Sequence, residues 1–365
     1  AELGTIKNSE AQGELIVYAS GDPTFGSDRF TETQAESIKK QILQSMQKLG
    51  IKKWKGRLRI VPNLFVDSAI HTDWLAEDVG NYYGAGIYPL NWRENKFEIN
   101  LQPTSTSFDV ISNNAGYDNR TSFCIELVHK DGASTEEAFA FIEKEKNCMY
   151  TIRGVLSNKE KNHNMQLARL HPAEDFKKEV IQYLQKEIEF TELSNVETKA
   201  KEILLCQFQS PPLQEIVYWC NQKSLNVYAE ALCKQISVTL FKKGTWPLGA
   251  SAMIRYTASL GLQTDGVQLK DGSGLSTENK IHTRLLSQLL HHYTKAKWFR
   301  SFYESLPSIN GLKMKSGYIG GTRAYAGYMP LRDGTKTCFA FIIHNYSCTP
   351  REVKKEMFGV LDMLK

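Results

Sequence analysis

The stretch from Met314 to the end of the chain limits the fold most. Met314–Tyr318, Ala324–Leu331 and Lys336–Asn345 read as antiparallel strands, and Asp333-Gly334 supplies a hairpin turn between the last two. Thr349-Pro350-Arg351-Glu352 has the form of a capping box with Pro at the first helical position. The helix it opens carries Val353, Met357, Leu361 and Leu364 on one face. Antiparallel strands followed by a helix are α+β organisation.

The rest of the chain is consistent with this. Gly13 to Ala19 reads as a strand ending at the turn Gly21-Asp22-Pro23, and residues 31–49 as a helix with Ile38, Ile42, Met46 and Leu49 at helical spacing. Arg57 to Val66 and Lys96 to Leu101 read as strands, with short β runs over 120–157 and a charged helix over about 173–189. The composition shifts near residue 195. Ser210-Pro211-Pro212 reads as an N-cap and helix-starting Pro, with Leu213, Ile216, Val217 and Cys220 forming one apolar face. That pattern breaks at Lys223–Asn226 and resumes through Ala231, Leu232 and Ile236; a further helix covers about 280–300.

At 365 residues the chain exceeds one ordinary core, so two or three domains are expected. Apolar residues at 41% and charged residues at 23% exclude disorder. Apolar runs such as 338–343 are far short of the roughly 18 residues a membrane helix needs. A formal charge of +5 is not the concentrated basic stripe of a nucleic-acid binder. Seven Cys without a CxxC argue against a dense disulfide framework. Cys338, His344 and Cys348 have the wrong spacing for a common zinc finger, so these cysteines are read as buried and structural. There is no HExxH, and the His291-His292 pair is expected to face solvent. No metal or cofactor is implied.

Three short motifs carry chemistry by their order. Ser224-Leu225-Asn226 lies between two helices, Asp271-Gly272-Ser273-Gly274-Leu275-Ser276 is a turn before a helix, and Lys315-Ser316-Gly317 lies on a strand. Penicillin-binding acyl-transfer sites use Ser-x-x-Lys, then Ser-x-Asn, then Lys-Thr/Ser-Gly on a strand. With these motifs the sequence resembles the D-alanyl-D-alanine carboxypeptidase/endopeptidase family, the class C low-molecular-mass penicillin-binding proteins. Gly13 through Thr24, Trp74 through Asn95, Ser210-Pro211-Pro212-Leu213 with Lys223–Asn226, the DGSGLS run at 271–276, and Lys315-Ser316-Gly317 with Gly321 and Ala326-Gly327-Tyr328 each resemble a segment of that family's pattern, in order.

The resemblance implies a transpeptidase-type domain of antiparallel sheet and helices, β-lactamase-like, with two smaller domains inserted. Residues 1–197 would hold the inserted domains, one nested in the other, and 198–365 the C-terminal part of the transpeptidase domain. It implies serine-type cleavage of D-Ala-D-Ala peptides through an acyl-enzyme. Ser224 would relay a proton to the leaving amine, Asn226 would hold the substrate amide, and Lys315 would keep the field positive. Ser316 Oγ would bind the terminal carboxylate, Gly317 would allow close approach, and the Tyr318 N–H would serve the oxyanion hole. Expected partners are peptidoglycan stem peptides and β-lactam antibiotics, with no nucleic acid and with room for a homodimer. The expected location is the periplasm or cell envelope, after export by a signal peptide not present in this chain.

Two departures stand out: Leu225 replaces the usual acidic residue of the triplet, and Tyr318 replaces Ser or Thr after the glycine. The Ser276–Lys315 spacing is also short. DGSGLS is read as structural, its Asp and Ser capping a turn. The only Ser-x-x-Lys matches, Ser37 with Lys40 and Ser45 with Lys48, fall in an inserted domain and are read as chance. The nucleophile segment is therefore expected upstream of Ala1. A non-catalytic peptidoglycan-binding relative is the alternative, and a stand-alone β-lactamase the third choice.

Overall fold

The computed structural model describes residues 2–3, 5–143, 145–194, 203–331 and 335–365. The chain divides into two compact units: residues 1–211 with 238–244, and residues 212–237 with 245–365. The expected domain boundary at 197/198 and the Asp333-Gly334 turn lie outside the described residues.

In the first unit, strand β1 (Glu10–Ala19), helix α1 (Ala35–Lys48) and strand β2 (Lys53–Pro62) form a parallel crossover, Glu10 to Ala19 facing Lys53 to Pro62 in register. Parallel neighbours need such a crossover, and a helix supplies it. The strand expected to reach Val66 stops at Pro62, and Leu64 then turns left-handed at φ 66°. Helix α1 buries Ile38, Ile42 and Met46 against Leu15, Val17, Trp54 and Leu58.

Beyond it come β3 (Lys96–Pro103), β4 (Phe108–Asn113), β5 (Phe123–His129), β6 (Ala138–Phe141), β7 (Tyr150–Leu156) and β8 (His163–Ala168). They make two three-stranded sheets, ordered β8-β3-β4 and β5-β7-β6, over one core that includes Phe97, Ile99, Tyr150, Ile152 and Leu167. A Cys124–Cys148 disulfide joins β5 to the approach to β7. Helix α2 (Pro172–Leu184) returns to the first core through Phe176, Val180 and Leu184, and β9 (Glu189–Glu192) adds to β2. The helix expected to run to 189 thus gives way to a strand.

Two segments quoted for the resemblance are knitted together in this unit. Arg93, Glu94 and Asn95 are three consecutive left-handed residues. Such backbone costs roughly 1–2 kcal/mol per residue and persists only where its surroundings over-determine it. Here Glu94 accepts from Ser27 Oγ and Arg29 Nε, and Asn95 Nδ2 donates to Gly86 O and Asn91 Oδ1. Asn91 Nδ2 in turn donates to the Gly21 and Asp22 carbonyls of the GDPT turn. Ser210 is no helix cap: its Oγ donates to Asp22 Oδ2 at 2.6 Å.

The second unit holds helices α3 (Leu213–Lys223), α4 (Asn226–Phe241) as far as Ser237, α5 (Trp246–Ser259), α6 (Thr283–His292) and α7 (Phe299–Ser305). Strands β10 (Leu312–Ile319), β11 (Thr322–Pro330) and β12 (Lys336–His344) follow, and then α8 (Pro350–Leu364). Helix α5 had no counterpart in the periodicity, and the helix expected over 280–300 is α6 plus a short turn, with α7 beyond it. The strands are antiparallel in chain order, with Ser308–Ile309 pairing only the start of β10. The capping box forms as expected, Thr349 and Glu352 bonding reciprocally. Val353, Met357 and Leu361 pack on Met314, Tyr325 and Met329, so α8 covers one face of the sheet.

Candidate active site

Helix α3 ends at Ser224, whose backbone is left-handed at φ 53°, ψ 50°. The next amide folds back, the Leu225 N–H donating to Cys220 O at 3.1 Å, and the Tyr228 N–H donates to Leu225 O as α4 begins at Asn226. Leu225 points inward and is buried, which accounts for an apolar residue between Ser224 and Asn226. Asn221 Nδ2 and Gln222 Nε2 tie the last turn of α3 to Ser305 Oγ and O, at 2.7 and 2.9 Å. The exposed Ser224 therefore stands on a fixed corner.

Lys315 reaches this corner from β10. Its Nζ donates to Ser224 Oγ and to Ser316 O, both at 2.8 Å. The second and third motifs, 91 residues apart, thus meet directly. Burial pushes the Lys315 ammonium below the ordinary lysine range, opposed by the nearby Cys220 thiol. Burial pushes that thiol up to about 11, which keeps it protonated and unreactive.

The register of β10 exposes its main chain. Gly320-Gly321 is a two-residue loop closing on Ile319 and Thr322, and pairs then alternate back through Tyr318–Arg323, Gly317–Ala324, Ser316–Tyr325 and Lys315–Ala326. In a two-residue hairpin the closing pair is hydrogen-bonded. Alternation then turns the N–H and C=O of Tyr318 and Ser316 away from β11, along an edge that Ser308–Ile309 does not reach. The Lys315 bond to Ser316 O agrees with that carbonyl lying outside the ladder. Gly317 is exposed and a Cβ there would meet only Ala324, so its value lies in keeping the strand surface low. An apolar cavity of about 340 Å³ opens beside Lys315 and Gly317, lined also by Asn221, Leu286, Leu289 and Phe302.

DGSGLS is a structural buttress. Asp271 accepts from the Gly274 and Ser276 N–H groups and from Asn279 Nδ2. Fully buried Glu230, one turn beyond Asn226 on α4, accepts from Gly272 N and Ser273 N at 2.9 Å and from Trp246 Nε1 at 2.6 Å. Gly272 and Gly249 are required by close approach, since a Cβ at either would strike the backbone of Ala229 or Cys233 on α4. The loop and α5 thus clamp the helix that carries Asn226.

The two Ser-x-x-Lys pairs lie on α1 in the first unit, where Ser37 Oγ accepts from Gln34 Nε2. His291 and His292 are exposed as expected. Cys348 is exposed and Cys338 only half-buried, against the expectation of buried cysteines. Among the described residues no cluster of His, Cys, Asp and Glu is set to hold a metal. Sequence reasoning missed Glu230, which lies in none of the matched segments.

A strand-borne Lys-Ser-Gly bonded to the serine of a Ser-x-Asn corner is the pairing of the second and third motifs that penicillin-binding acyl-transfer sites use. The fold matches the crystal structure of penicillin-binding protein 4 (dacB) from Haemophilus influenzae with a TM-score of 0.75, at 20% identity over 98% of this chain and 85% of that one. The same protein complexed with a novel β-lactam gives 0.69. In sequence, the D-alanyl-D-alanine carboxypeptidase DacB of H. influenzae is 23% identical over 96% of this chain and 76% of its own length. Carboxypeptidase DacB of Mycolicibacterium smegmatis is 26% identical over 43% of this chain and 39% of its own. The pattern of the D-Ala-D-Ala carboxypeptidase 3 (S13) family matches residues 1–364, and the chain belongs to that family.

Proposed function

We propose that this chain is the greater part of a serine-type D-Ala-D-Ala carboxypeptidase/endopeptidase that acts on peptidoglycan peptides through an acyl-enzyme and is acylated by β-lactams. The Lys315 Nζ–Ser224 Oγ contact of 2.8 Å carries the reading. A hydroxyl held by a desolvated ammonium can pass a proton to a leaving amine. Asn226, two residues on, would hold the substrate amide. Ser316 Oγ would take the terminal carboxylate, a charge-assisted contact about twice as strong as a neutral one. The outward Tyr318 N–H supports its role as an oxyanion donor, and the nucleophile would come from a Ser-x-x-Lys segment outside these residues. Residues 1–197 would be the inserted accessory domains and 198–365 the C-terminal part of the transpeptidase domain. The Cys124–Cys148 disulfide supports a periplasmic or envelope location, because such bonds persist in oxidising compartments. No helix among the described residues is long and apolar enough to cross a membrane.

Fluorescent penicillin, offered to the product of the complete gene, tests this. Covalent labelling that Ser224→Ala and Lys315→Ala each abolish is expected. Absence of labelling, with a known relative labelled alongside, removes the peptidase and leaves a peptidoglycan-binding role.

A further inference from the structure

We propose that Arg323 is a specificity-determining residue of this site, its guanidinium taking the carboxylate of a ligand that lies along the open edge of β10. This rests on the function proposed above and adds a residue to it.

Arg323 on β11 is paired with Tyr318 on β10, and Ser316 lies on the same face two residues back. Diagonal neighbours of this kind are about 7–8 Å apart, within reach of a long side chain. The Arg323 guanidinium carbon sits 4.5 Å from the centre of the exposed Tyr318 ring. That stack holds the side chain at the end of the strand instead of letting it sweep through solvent.

The group is not satisfied there. Arg323 Nε is shielded from solvent and has no hydrogen-bond partner. A buried donor without an acceptor is destabilising. An arriving carboxylate would remove that cost, and the planar fork of arginine fits a carboxylate in two parallel bonds. Lys315 on the neighbouring strand β10 adds to the positive field. The ligand class is therefore a peptide ending in a free carboxylate, or a β-lactam bearing one.

Titrating the chain with N-acetyl-D-Ala-D-Ala and, separately, with its C-terminal carboxamide tests this, the Arg323 Nε–Hε resonance being followed by NMR. The acid should move the resonance and the amide should not. Arg323→Gln, checked for an unchanged melting curve, should weaken binding of the acid about tenfold and leave the amide within about twofold. Arg323→Lys should fall between. Equal responses to acid and amide, acid binding indifferent to Arg323→Gln, or no binding of the acid overturn the proposal. Penicillin labelling of the complete protein separates the two readings. Labelling with no carboxylate preference at Arg323 removes only the present inference. A carboxylate preference without labelling removes only the peptidase.

Discussion

Ser224 trades stability for placement. A left-handed serine costs roughly 1–2 kcal/mol against glycine, which adopts that conformation freely. Ser224→Gly should therefore raise stability by up to about 1 kcal/mol after loss of the Lys315 contact, while abolishing penicillin labelling. A thermal melt and a labelling gel on one preparation check both halves, and a destabilised variant would contradict the strain. Leu225 makes the complementary case. Restoring an acidic residue, Leu225→Asp, would bury a carboxylate where the side chain is now packed, and should cost about 3 kcal/mol or more. Denaturant melts that shift by less would show that the corner can turn outward. The residue types of this corner were legible in the sequence. Its left-handed turn was not, because a non-glycine in that conformation leaves no mark in composition.

At the scale of elements, α4 matters most. Burial and the Asp271 charge push the Glu230 acid up to about 7, while the N–H donors of Gly272 and Ser273 pull it back. Its folded value lies above the unfolded one, so its contribution to stability is full below about pH 4.5 and fades as pH rises through about 7. The loss is on the order of 3 kcal/mol across that window. Glu230→Gln cannot titrate, so the fall in melting temperature between pH 5 and 7.5 should flatten relative to the parent, on a lower baseline because an amide cannot accept all three N–H donors. Equal slopes in parent and variant would assign the pH dependence elsewhere. Periodicity found α3 and α8, where apolar residues mark one stripe, and found α4 by its apolar content, since that helix buries Glu230 and Lys234 and exposes Ile236. It missed α5, whose Trp246-Pro247-Leu248-Gly249 start looks like a turn and packs closely because it carries glycine and alanine. The 280–300 helix was broken by the short Tyr293–Lys295 turn, which helical spacing does not register.

Two compact units predict two cooperative transitions, so a single unfolding temperature is not expected. The disulfide lets them be told apart, because Cys124 and Cys148 both belong to the first unit and close a loop with a sequence separation of 24. Loop-closure entropy for that length is about 3 kcal/mol in the unfolded chain. No spacing rule identified the pair: seven cysteines without a CxxC gave no reason to choose it, and only the fold brings β5 beside the approach to β7. Calorimetry of the chain with the bond intact and after Cys124→Ser with Cys148→Ser should show two transitions. One should fall by about 5–10 °C, as expected for a unit of roughly two hundred residues, and the other should stay in place. If both fell together, the units would be unfolding as one, and the clamp of Glu230 on DGSGLS would then share its stability with the β5–β7 sheet.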